Sequence, residues 1–511
     1  MTSALGIDVG TTNVKTALVD DTGQVVASAE RRLTTHRDGD VAEQDPATLW
    51  QAVVEAIKEV TTNNPVAAAS VEAIVCASQY SSIVAVDSVG APLTEVITYM
   101  DRRGTDQCFA IWGEHPTAVD TWLDRHGIPP IGSGLSLAHI LHIRDDQPRA
   151  YAQTAAFLEP MDLVNLRLTG RATATQGTMF ASQLCDNRVL HKTDYDSELL
   201  RMAGIDESKL PPLIKPSDAI GPLLPQIADA LGLPVNAIVF AGVNDSQAAG
   251  VATGVTDPER AAIIIGTTSV VLQSIDERRA TDLDHDILSM PSALDDYLVW
   301  AENGLSGKSL EHVMDSFIFA NDSLGDHSSP DKFVGLENVL ATTSAGSGGV
   351  LFLPWLDGSL SPDSNPSMRG GFLNLSLDTT RLDLVRAVIE GLAYNIRWLI
   401  GSVESYSGRP IKSLVFGGGA ARSAQWAQIL ADVLGTSVTT LTNPEFTTAR
   451  GAGMLALLRV GTVSASELLA MEATAATFQP NQSHRAIYDK MFEQFVVAFV
   501  QTKPIFEALN T

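Results

Sequence analysis

The chain of 511 residues is longer than one hydrophobic core usually supports, so we expect two domains of about 250 residues each. Its composition, with 45% hydrophobic and 18% charged residues, is that of a globular protein. The 60 acidic residues outnumber the 34 Lys and Arg residues, and the net charge of −26 argues against nucleic acid or an anionic membrane as a partner. A phosphate ligand is still compatible with this charge, because backbone amides bind phosphate without a cationic side chain.

The N-terminus and the cysteines indicate the cellular compartment. The opening MTSALGIDVG has neither the basic region nor the apolar run of a signal peptide, and no apolar stretch reaches the length of about 18 residues expected of a membrane-spanning helix. Cys76, Cys108 and Cys185 form no closely spaced pair, which is typical of a reduced protein. We therefore predict a cytoplasmic protein without a membrane span.

The first half opens as a meander of strands around a Gly-Thr-Thr-Asn turn at residues 10–13. An apolar period of 3.6 residues predicts a helix near residues 46–60, and the pattern from 138 to 169 is helical throughout. A buried strand, a loop containing Asp245 and a helix of small residues follow. The strands of the meander are predicted at residues 4–9, 14–19 and 24–30.

The second half repeats this plan. Its sequence ERAAIIIGTTSVVLQSI is again a strand, a Gly-Thr-Thr turn and a strand, and the two turns are separated by 266 − 10 = 256 positions. A long amphipathic helix is predicted at 379–406, where Thr380 and Asp383 form a candidate capping box. Residues 413–435 are predicted as a strand, a glycine loop and a helix. We place the domain boundary after residue 248, which gives domains 1–248 and 249–511.

The paired Gly-Thr-Thr turns predict a phosphate site. Glycine lets a backbone approach a ligand closely, and the turn offers N–H and O–H donors to an anion. A single turn of this kind is more often an ordinary hairpin. Two copies, in equivalent places of the two halves, favour a polyphosphate held between two related domains. The pattern is neither a Walker loop, because a strand follows it, nor a Rossmann fingerprint.

Two acids lie beside these turns. Asp8 directly precedes the first turn, and Asp245 follows a buried strand at the end of the first half. Nucleotide phosphates bring Mg²⁺, which one or two carboxylates usually hold together with water and phosphate oxygens. Asp8 and Asp245 are thus candidate metal ligands, and Asp245 is also the candidate base that removes a proton from an attacking hydroxyl. The alternative for either acid is a turn or helix cap.

These motifs resemble the FGGY family of carbohydrate kinases. The resemblance extends from GIDVGTTNVK through GVNDSQAAGVATGV and IIIGTTSV to FGGGAARSAQWAQILADVLG, in the order of the family. It implies an α/β fold with two ribonuclease-H-like ATPase domains, as in actin, Hsp70 and hexokinase, and an interdomain cleft that closes over sugar and nucleotide. It also implies ATP and Mg²⁺ as cofactors, Asp245 as catalytic base and Asp8 as the acid linked to the metal.

By the same resemblance, twelve residues contact the nucleotide. The first phosphate turn supplies five of them, the second turn and the segment SGKSLEH two each, and the late glycine loop three. In chain order they are Gly10, Thr11, Thr12, Asn13, Lys15, Gly266, Thr267, Gly307, Glu311, Gly418, Gly419 and Ser423.

The substrate side departs from the family pattern. Xylulose kinases of the family have Gln-Met-His-Gly where this chain has Gln79-Tyr80-Ser81-Ser82, and glycerol kinases have an Arg-Glu pair there. We predict that Gln79, Tyr80, Asp101, Arg102 and Asp245 contact the substrate. For Gln79, Asp101 and Arg102 the alternative is a solvated hairpin of ordinary polar residues. The expected reaction is transfer of the γ-phosphate of ATP to a hydroxyl of a small sugar, with a pentulose such as xylulose as the first expectation.

Three other interpretations remain open at this stage. The acceptor could be a polyol or a sugar acid, such as erythritol or gluconate, on the same fold. An ATP-driven conformational protein could use the same two domains, although Asp245 lies where an acceptor hydroxyl would. His139 and His142 have the spacing of a helical metal site, but no further ligand completes it, so a helical surface position is favoured. The resemblance also suggests a homodimer.

Overall fold

The structure of the protein is a computed structural model that describes residues 2–132, 134–329, 333–471 and 473–510. The strands of the first half are β1 (Ser3–Val9), β2 (Asn13–Asp20), β3 (Val25–Arg32), β4 (His36–Asp38), β5 (Val41–Gln44), β6 (Val71–Ser78), β7 (Val84–Val86), β8 (Val96–Ile97), β9 (Ala156–Leu158), β10 (Ala219–Pro222), β11 (Ile238–Phe240) and β12 (Val243–Asn244). Its helices are α1 (Pro46–Asn63), α2 (Pro65–Ala68), α3 (Thr105–Glu114), α4 (Ala118–Arg125), α5 (Ser136–Asp146), α6 (Pro148–Gln153), α7 (Pro160–Thr169), α8 (Ser197–Ala203), α9 (Pro225–Leu231) and α10 (Asp245–Ala252).

The second half has the strands β13 (Arg260–Ile265), β14 (Thr268–Ile275), β15 (Ile287–Pro291), β16 (Tyr297–Leu305), β17 (Asn321–Asp322), β18 (Gly325–Asp326), β19 (Leu351–Leu353), β20 (Gly371–Leu373), β21 (Ser413–Gly417), β22 (Ser437–Leu441) and β23 (Thr474–Phe478). Its helices are α11 (Gly307–Val313), α12 (Leu336–Thr342), α13 (Arg381–Ser407), α14 (Ala424–Leu434), α15 (Thr447–Val460), α16 (Ala465–Ala470) and α17 (Arg485–Asn510).

Each half is built on a mixed sheet with the same central order. The first sheet runs β10-β11-β6-β1-β2-β3, with β12 beside β6, and the second runs β15-β16-β14-β13-β21-β22-β23. Each sheet contains an antiparallel hairpin, β1–β2 in the first and β13–β14 in the second. The first strand of each hairpin also pairs in parallel with a strand from later in the chain, β1 with β6 and β13 with β21. The internal repeat and the two-domain α/β fold expected from the sequence are therefore confirmed.

Helices α10 and α15 form a layer between the two sheets. Helix α15 packs on β1 and β6 of the first sheet although it belongs to the second half, and α10 contacts both α15 and the second sheet. The other faces are covered by α1, α7 and α9 on the first sheet and by α13, α14 and α17 on the second. Asp245 is the first residue of α10, so this central layer positions it between the sheets.

Glycines allow the central layer to pack at short distance. A Cβ atom on Gly451 would lie 1.8 Å from the carbonyl oxygen of Ala248 in α10. A Cβ atom on Gly6 of β1 would lie 1.9 Å from the carbonyl oxygen of Ala449. Both contacts are with backbone atoms, which cannot move away as a side chain can, so α15 reaches its position only because these residues are glycines.

Polar contacts fix the helix ends and the central layer. The buried Arg450 of α15 donates to the carbonyl oxygens of Gly23 and Ala252, both at 2.7 Å, and so ties the β2–β3 turn to the C-terminal end of α10. The predicted capping box of α13 is confirmed, because Thr380 N donates to Asp383 Oδ2 at 2.9 Å and Asp383 N to Thr380 Oγ1 at 3.3 Å.

Two predictions about the first half are wrong. The segment 138–169 is not continuously helical: Pro148 and Pro160 each begin a new helix, and β9 between them pairs with β7. Proline is favoured at a helix start and disfavours helix in the residue before it, which explains both breaks. His139 and His142 are buried rather than on a helical surface. The predicted boundary at residue 248 falls within α10, and the division at that residue stays a prediction.

We predict that Gly451→Ala destabilises the protein by about 3 kcal/mol, because the new methyl group overlaps a backbone carbonyl and forces α10 and α15 apart. The matched control is Gly401→Ala in α13, where a Cβ atom meets nothing within 4 Å. That change is expected to stabilise the protein by about 1 kcal/mol through helix propensity alone. Urea unfolding of both variants measures the difference, and equal stabilities would contradict the packing role of Gly451.

Candidate active site between the two sheets

The first Gly-Thr-Thr turn presents free backbone donors. Gly10 N donates to Asn13 O at 3.0 Å, which closes the β1–β2 hairpin. The carbonyl oxygens of Thr11 and Thr12 accept hydrogen bonds from Gln44 Nε2 at 2.8 Å and Leu33 N at 2.7 Å. The N–H groups of Thr11 and Thr12 have no acceptor among the described residues. With its carbonyls held by the protein, the turn can offer these N–H groups to an anion.

The second turn has the same arrangement. Gly266 N donates to Thr268 O at 2.9 Å, and the carbonyls of Gly266 and Thr267 accept from the amides of residues 306–308 at the start of α11. A Cβ atom on Gly307 would lie 2.2 Å from Gly266 O, so the predicted nucleotide residue Gly307 lies against the turn. Thr267 N has no acceptor in the described ranges. Glu311, one turn further along α11, pairs with Lys308 at 2.7 Å.

The glycine loop after β21 lies against the second turn. Gly418 has φ +85°, and a Cβ atom there would lie 2.3 Å from the carbonyl oxygen of Ile265. Gly419 is exposed and has open space around its Cα atom. Ser423 is the N-cap of α14: its hydroxyl accepts a hydrogen bond from Trp426 N at 3.0 Å and donates one to Glu337. The Ser423 hydroxyl is therefore already engaged by the protein.

Asp8, Lys15 and Asp245 form an electrostatic cluster at the junction of the two halves. Asp8 and Lys15 are opposite each other in the β1–β2 register, and Lys15 Nζ donates to the carbonyl oxygen of Glu445 at 2.8 Å. Burial raises the pKa of Asp8 to about 7, with Lys15 lowering it and Asp245 raising it further. Burial also raises the pKa of Asp245 to about 6, although the hydrogen bonds from Ser246 lower it. Two carboxylates with raised pKa values between two phosphate-type turns are typical of an active site.

Comparison with known proteins assigns the chain to a family. Residues 3–252 match the N-terminal domain and residues 261–460 the C-terminal domain of the FGGY family of carbohydrate kinases. The chain belongs to the FGGY family of carbohydrate kinases. It is therefore a sugar phosphotransferase that uses ATP.

The similar proteins match it over almost their whole length. A xylulose kinase of Staphylococcus epidermidis is 28% identical over 99% of this chain and 98% of that protein. The structure of a ligand-bound xylulose kinase from Lactobacillus acidophilus superposes with a TM-score of 0.84 at 22% identity, over 100% of both chains. The structure of a gluconate kinase from Lactobacillus acidophilus superposes with a TM-score of 0.82 at 22% identity, over 99% of both chains. The two structures confirm the fold.

Glu302 is electrostatically coupled to Asp245, and sequence reasoning did not single it out. It lies on β16, opposite Val270 in the register, and is only partly exposed. Burial raises the pKa of Glu302 to about 7; the Thr268 hydroxyl lowers it and the charge of Asp245 raises it. The sequence did contain a signal for this acid. Glu302 is spaced two residues from Trp300 and four from Leu298, so it lies on the same otherwise apolar face near the end of the strand.

The predicted substrate residue Gln79 is connected to the first phosphate turn. Its Nε2 donates to Gln44 Oε1 at 2.8 Å, and Gln44 Nε2 donates to the carbonyl of Thr11. Gln79 Oε1 is buried and has no hydrogen-bond partner among the described residues, so it is available to a ligand hydroxyl. The next residue, Tyr80, places its ring 6.4 Å from that of Trp300 in the second half. Gln44 is a further contact that the sequence did not indicate.

Asp101 and Arg102 have different surroundings. Asp101 is fully buried, and its carboxylate accepts from Ala42 N at 2.9 Å, Arg103 N at 2.9 Å and Arg103 Nη2 at 2.7 Å. Burial raises the pKa of Asp101, but the hydrogen bonds and the charge of Arg103 bring it below its usual value. The Arg102 side chain is exposed, whereas Arg103 also pairs with Glu43. The substrate roles of Asp101 and Arg102 stay predictions, and the ion pair is formed by Arg103.

The carboxylates fit a magnesium ion held jointly with phosphates. No group of three or more His, Cys, Asp or Glu side chains that could hold a metal occurs in the described part of the chain. Mg²⁺ usually needs one or two carboxylates, since waters and phosphate oxygens complete its shell. The charge of Asp245 raises the pKa of Asp8, and these two carboxylates would form such a set.

We predict that Asp101→Asn lowers the free energy of unfolding by about 3 kcal/mol, because it leaves the Arg103 guanidinium without its buried carboxylate. The matched control is Asp186→Asn, which removes the equivalent hydrogen bonds to Arg188, whose side chain is 43% exposed. The control is expected to cost less than half as much, because exposed pairs contribute little. Thermal unfolding compares the two, and a smaller loss for Asp101→Asn would contradict its structural role.

Proposed function

We propose that the protein transfers the γ-phosphate of ATP to a hydroxyl of a pentulose, with xylulose as the first candidate. The observation that carries the proposal is the position of Asp245 at the start of the helix between the two sheets, electrostatically coupled to Asp8 next to the first turn and to Glu302 beside the second. The xylulose kinases among the similar proteins support the choice of acceptor.

In the proposed reaction the two turns bind the phosphates of ATP. The free N–H groups of Thr11 and Thr12 contact phosphate oxygens from the first half, and Thr267 N contacts them from the second. The second turn and the glycine loop, with Gly307, Glu311, Gly418, Gly419 and Ser423, bind the rest of the nucleotide. Asn13 and Lys15 extend the first turn, and Lys15 brings a cation close to Asp8.

Asp245 acts as the base in this proposal. Its Oδ1 accepts hydrogen bonds from the amide and hydroxyl of Ser246 at 2.7 and 3.3 Å. Oδ2 receives no hydrogen bond from the side chains of the other described residues, and in this proposal it takes the proton of the acceptor hydroxyl as that hydroxyl attacks the γ-phosphate. With a pKa of about 6, Asp245 is mostly deprotonated at neutral pH and can accept this proton.

Asp8 and Asp245 would hold Mg²⁺ in the complex with ATP. The ion would neutralise part of the charge on the transferring phosphoryl group. Gln79, Tyr80, Asp101 and Arg102 complete the proposed acceptor site, and in it the free Oε1 of Gln79 accepts a hydrogen bond from an acceptor hydroxyl.

A sugar acid is the second candidate acceptor, because a gluconate kinase shares the whole fold.

The division into domains 1–248 and 249–511, the homodimer and the cytoplasmic location are further proposals. The helices in the described ranges lack the combination of length and apolar character needed to cross a membrane. Light scattering of the purified protein tests the dimer directly.

We predict that Asp245→Asn lowers kcat by about 10³-fold, because the neutral amide cannot accept the proton. ATP binding by this variant is expected to stay within about twofold of the original protein, since the turns that bind phosphate are unchanged. Asp229→Asn on the exposed side of α9 is the matched control and is expected to keep full activity. Transfer by Asp245→Asn at more than a tenth of the original rate would contradict its role as base.

An assay of ADP release over a panel of acceptors tests the proposed reaction. We expect release that depends on the added acceptor, with D-xylulose giving the largest kcat/KM among xylulose, ribulose, erythritol, glycerol and gluconate. ADP release at the same rate without any acceptor would instead favour an ATP-driven conformational protein. A preference for gluconate would overturn the pentulose assignment and leave the kinase assignment intact.

A further inference from the structure

We propose that Glu302 binds the acceptor and that its carboxylate makes the site select a neutral polyhydroxy compound over an anionic sugar acid. This inference rests on the proposed function, because it assigns a residue of the second half to the acceptor site of the same kinase. It adds a specificity-determining contact that lies outside the substrate segment around Gln79 and Asp101.

The strand register directs Glu302 toward the first half. Along β16, Tyr297, Val299 and Ala301 belong to the outer core beneath α13, whereas Leu298 and Trp300 pack with residues of the first half and of α10. Side chains alternate along a strand, so Glu302 continues the face of Leu298 and Trp300. Trp300 on that face contacts Tyr80, the neighbour of Gln79.

Glu302 is electrostatically coupled to residues of the proposed acceptor site. Its charge interacts with that of Asp245 and with Tyr99, and the Tyr99 hydroxyl also interacts with Thr11 of the first turn. Tyr99 is 37% exposed and lies two residues before Asp101. Glu302 is therefore electrostatically coupled to the proposed base and to Tyr99, and it lies on the face of β16 that also carries Trp300.

Glu302 has no cationic partner. Burial, the Thr268 hydroxyl and Asp245 shift its pKa, and no Lys, Arg or His of the described ranges is among these causes. The Thr268 hydroxyl already donates to this carboxylate, and a partly buried carboxylate without a cationic partner is costly unless further donors reach it. Adjacent hydroxyls of a sugar or polyol are donors of the right chemistry, because a carboxylate can accept from two of them at once.

The charge balance of the site disfavours an anionic acceptor. Asp8, Asp245 and Glu302 contribute three carboxyl groups, and Lys15 lowers the pKa of Asp8 alone among them. A ligand that brings a negative charge next to negatively charged side chains binds much more weakly, so such a site discriminates against anionic ligands. The charge of ATP is matched separately, by the N–H groups of the two turns and by its own divalent cation, whereas a sugar acid would bring an unmatched carboxylate next to Glu302.

The test compares Glu302→Gln, which keeps the shape and removes the charge, with the original protein. We expect KM for the preferred neutral acceptor of the panel to rise about tenfold, while KM for ATP and kcat change by less than about threefold. The ratio of kcat/KM for gluconate to kcat/KM for the neutral acceptor is expected to rise at least about tenfold. Glu277→Gln, an exposed position after β14, is the control for charge removal and should change none of these values.

A second variant keeps the test decisive if Glu302→Gln does not fold. Glu302→Asp retains the charge on a shorter side chain, so KM for the neutral acceptor should rise while gluconate is still rejected. An unchanged KM and an unchanged gluconate ratio in a folded Glu302→Gln protein would overturn the inference. The inference would also be overturned if Glu302→Gln lowered kcat without changing KM, or if the original protein preferred gluconate. Acceptor-independent ADP release by the original protein would mark the failure of the proposed function itself, and the inference would fall with it.

Discussion

The active-site geometry depends on one packing constraint, the close contact of α10 and α15 between the two sheets. Helix α10 carries Asp245 at its first residue, and α15 packs directly on β1, the strand that carries Asp8. Gly451 faces the backbone of α10, and Gly6 faces that of α15. The distance between Asp245, the proposed base, and the first Gly-Thr-Thr turn is therefore set by backbone contacts that a single methyl group would disturb.

The two halves repeat one architecture but divide the chemistry unequally. Both hairpins end in a Gly-Thr-Thr turn, yet the position of Asp8 in the first is occupied by Ile264 in the second. The acid of the second half instead comes from β16, where Glu302 lies across from Val270. The first half thus provides the proposed metal ligands and the base. The second half provides the glycine loop and, as we infer, a carboxylate that contacts the acceptor.

The sequence predicted the structural features that local pattern encodes. A repeated turn and an acid at the end of a buried strand are local features, and they led to both hairpins and to Asp8 and Asp245. Contacts between distant segments were not predictable in this way. Arg103 rather than Arg102 pairs with Asp101 because of the path of the loop, and Gln44 reaches Gln79 from a separate strand. Glu302 was missed because only the assembled sheet brings it near Asp245.

The most direct test is a crystal structure with Mg²⁺, a non-hydrolysable ATP analogue and the preferred acceptor. The account predicts that the β- and γ-phosphates contact the N–H groups of Thr11, Thr12 and Thr267, and that an acceptor hydroxyl lies within hydrogen-bond distance of Asp245. Phosphates bound away from either turn, or an acceptor whose hydroxyls all lie beyond reach of Asp245, would contradict it.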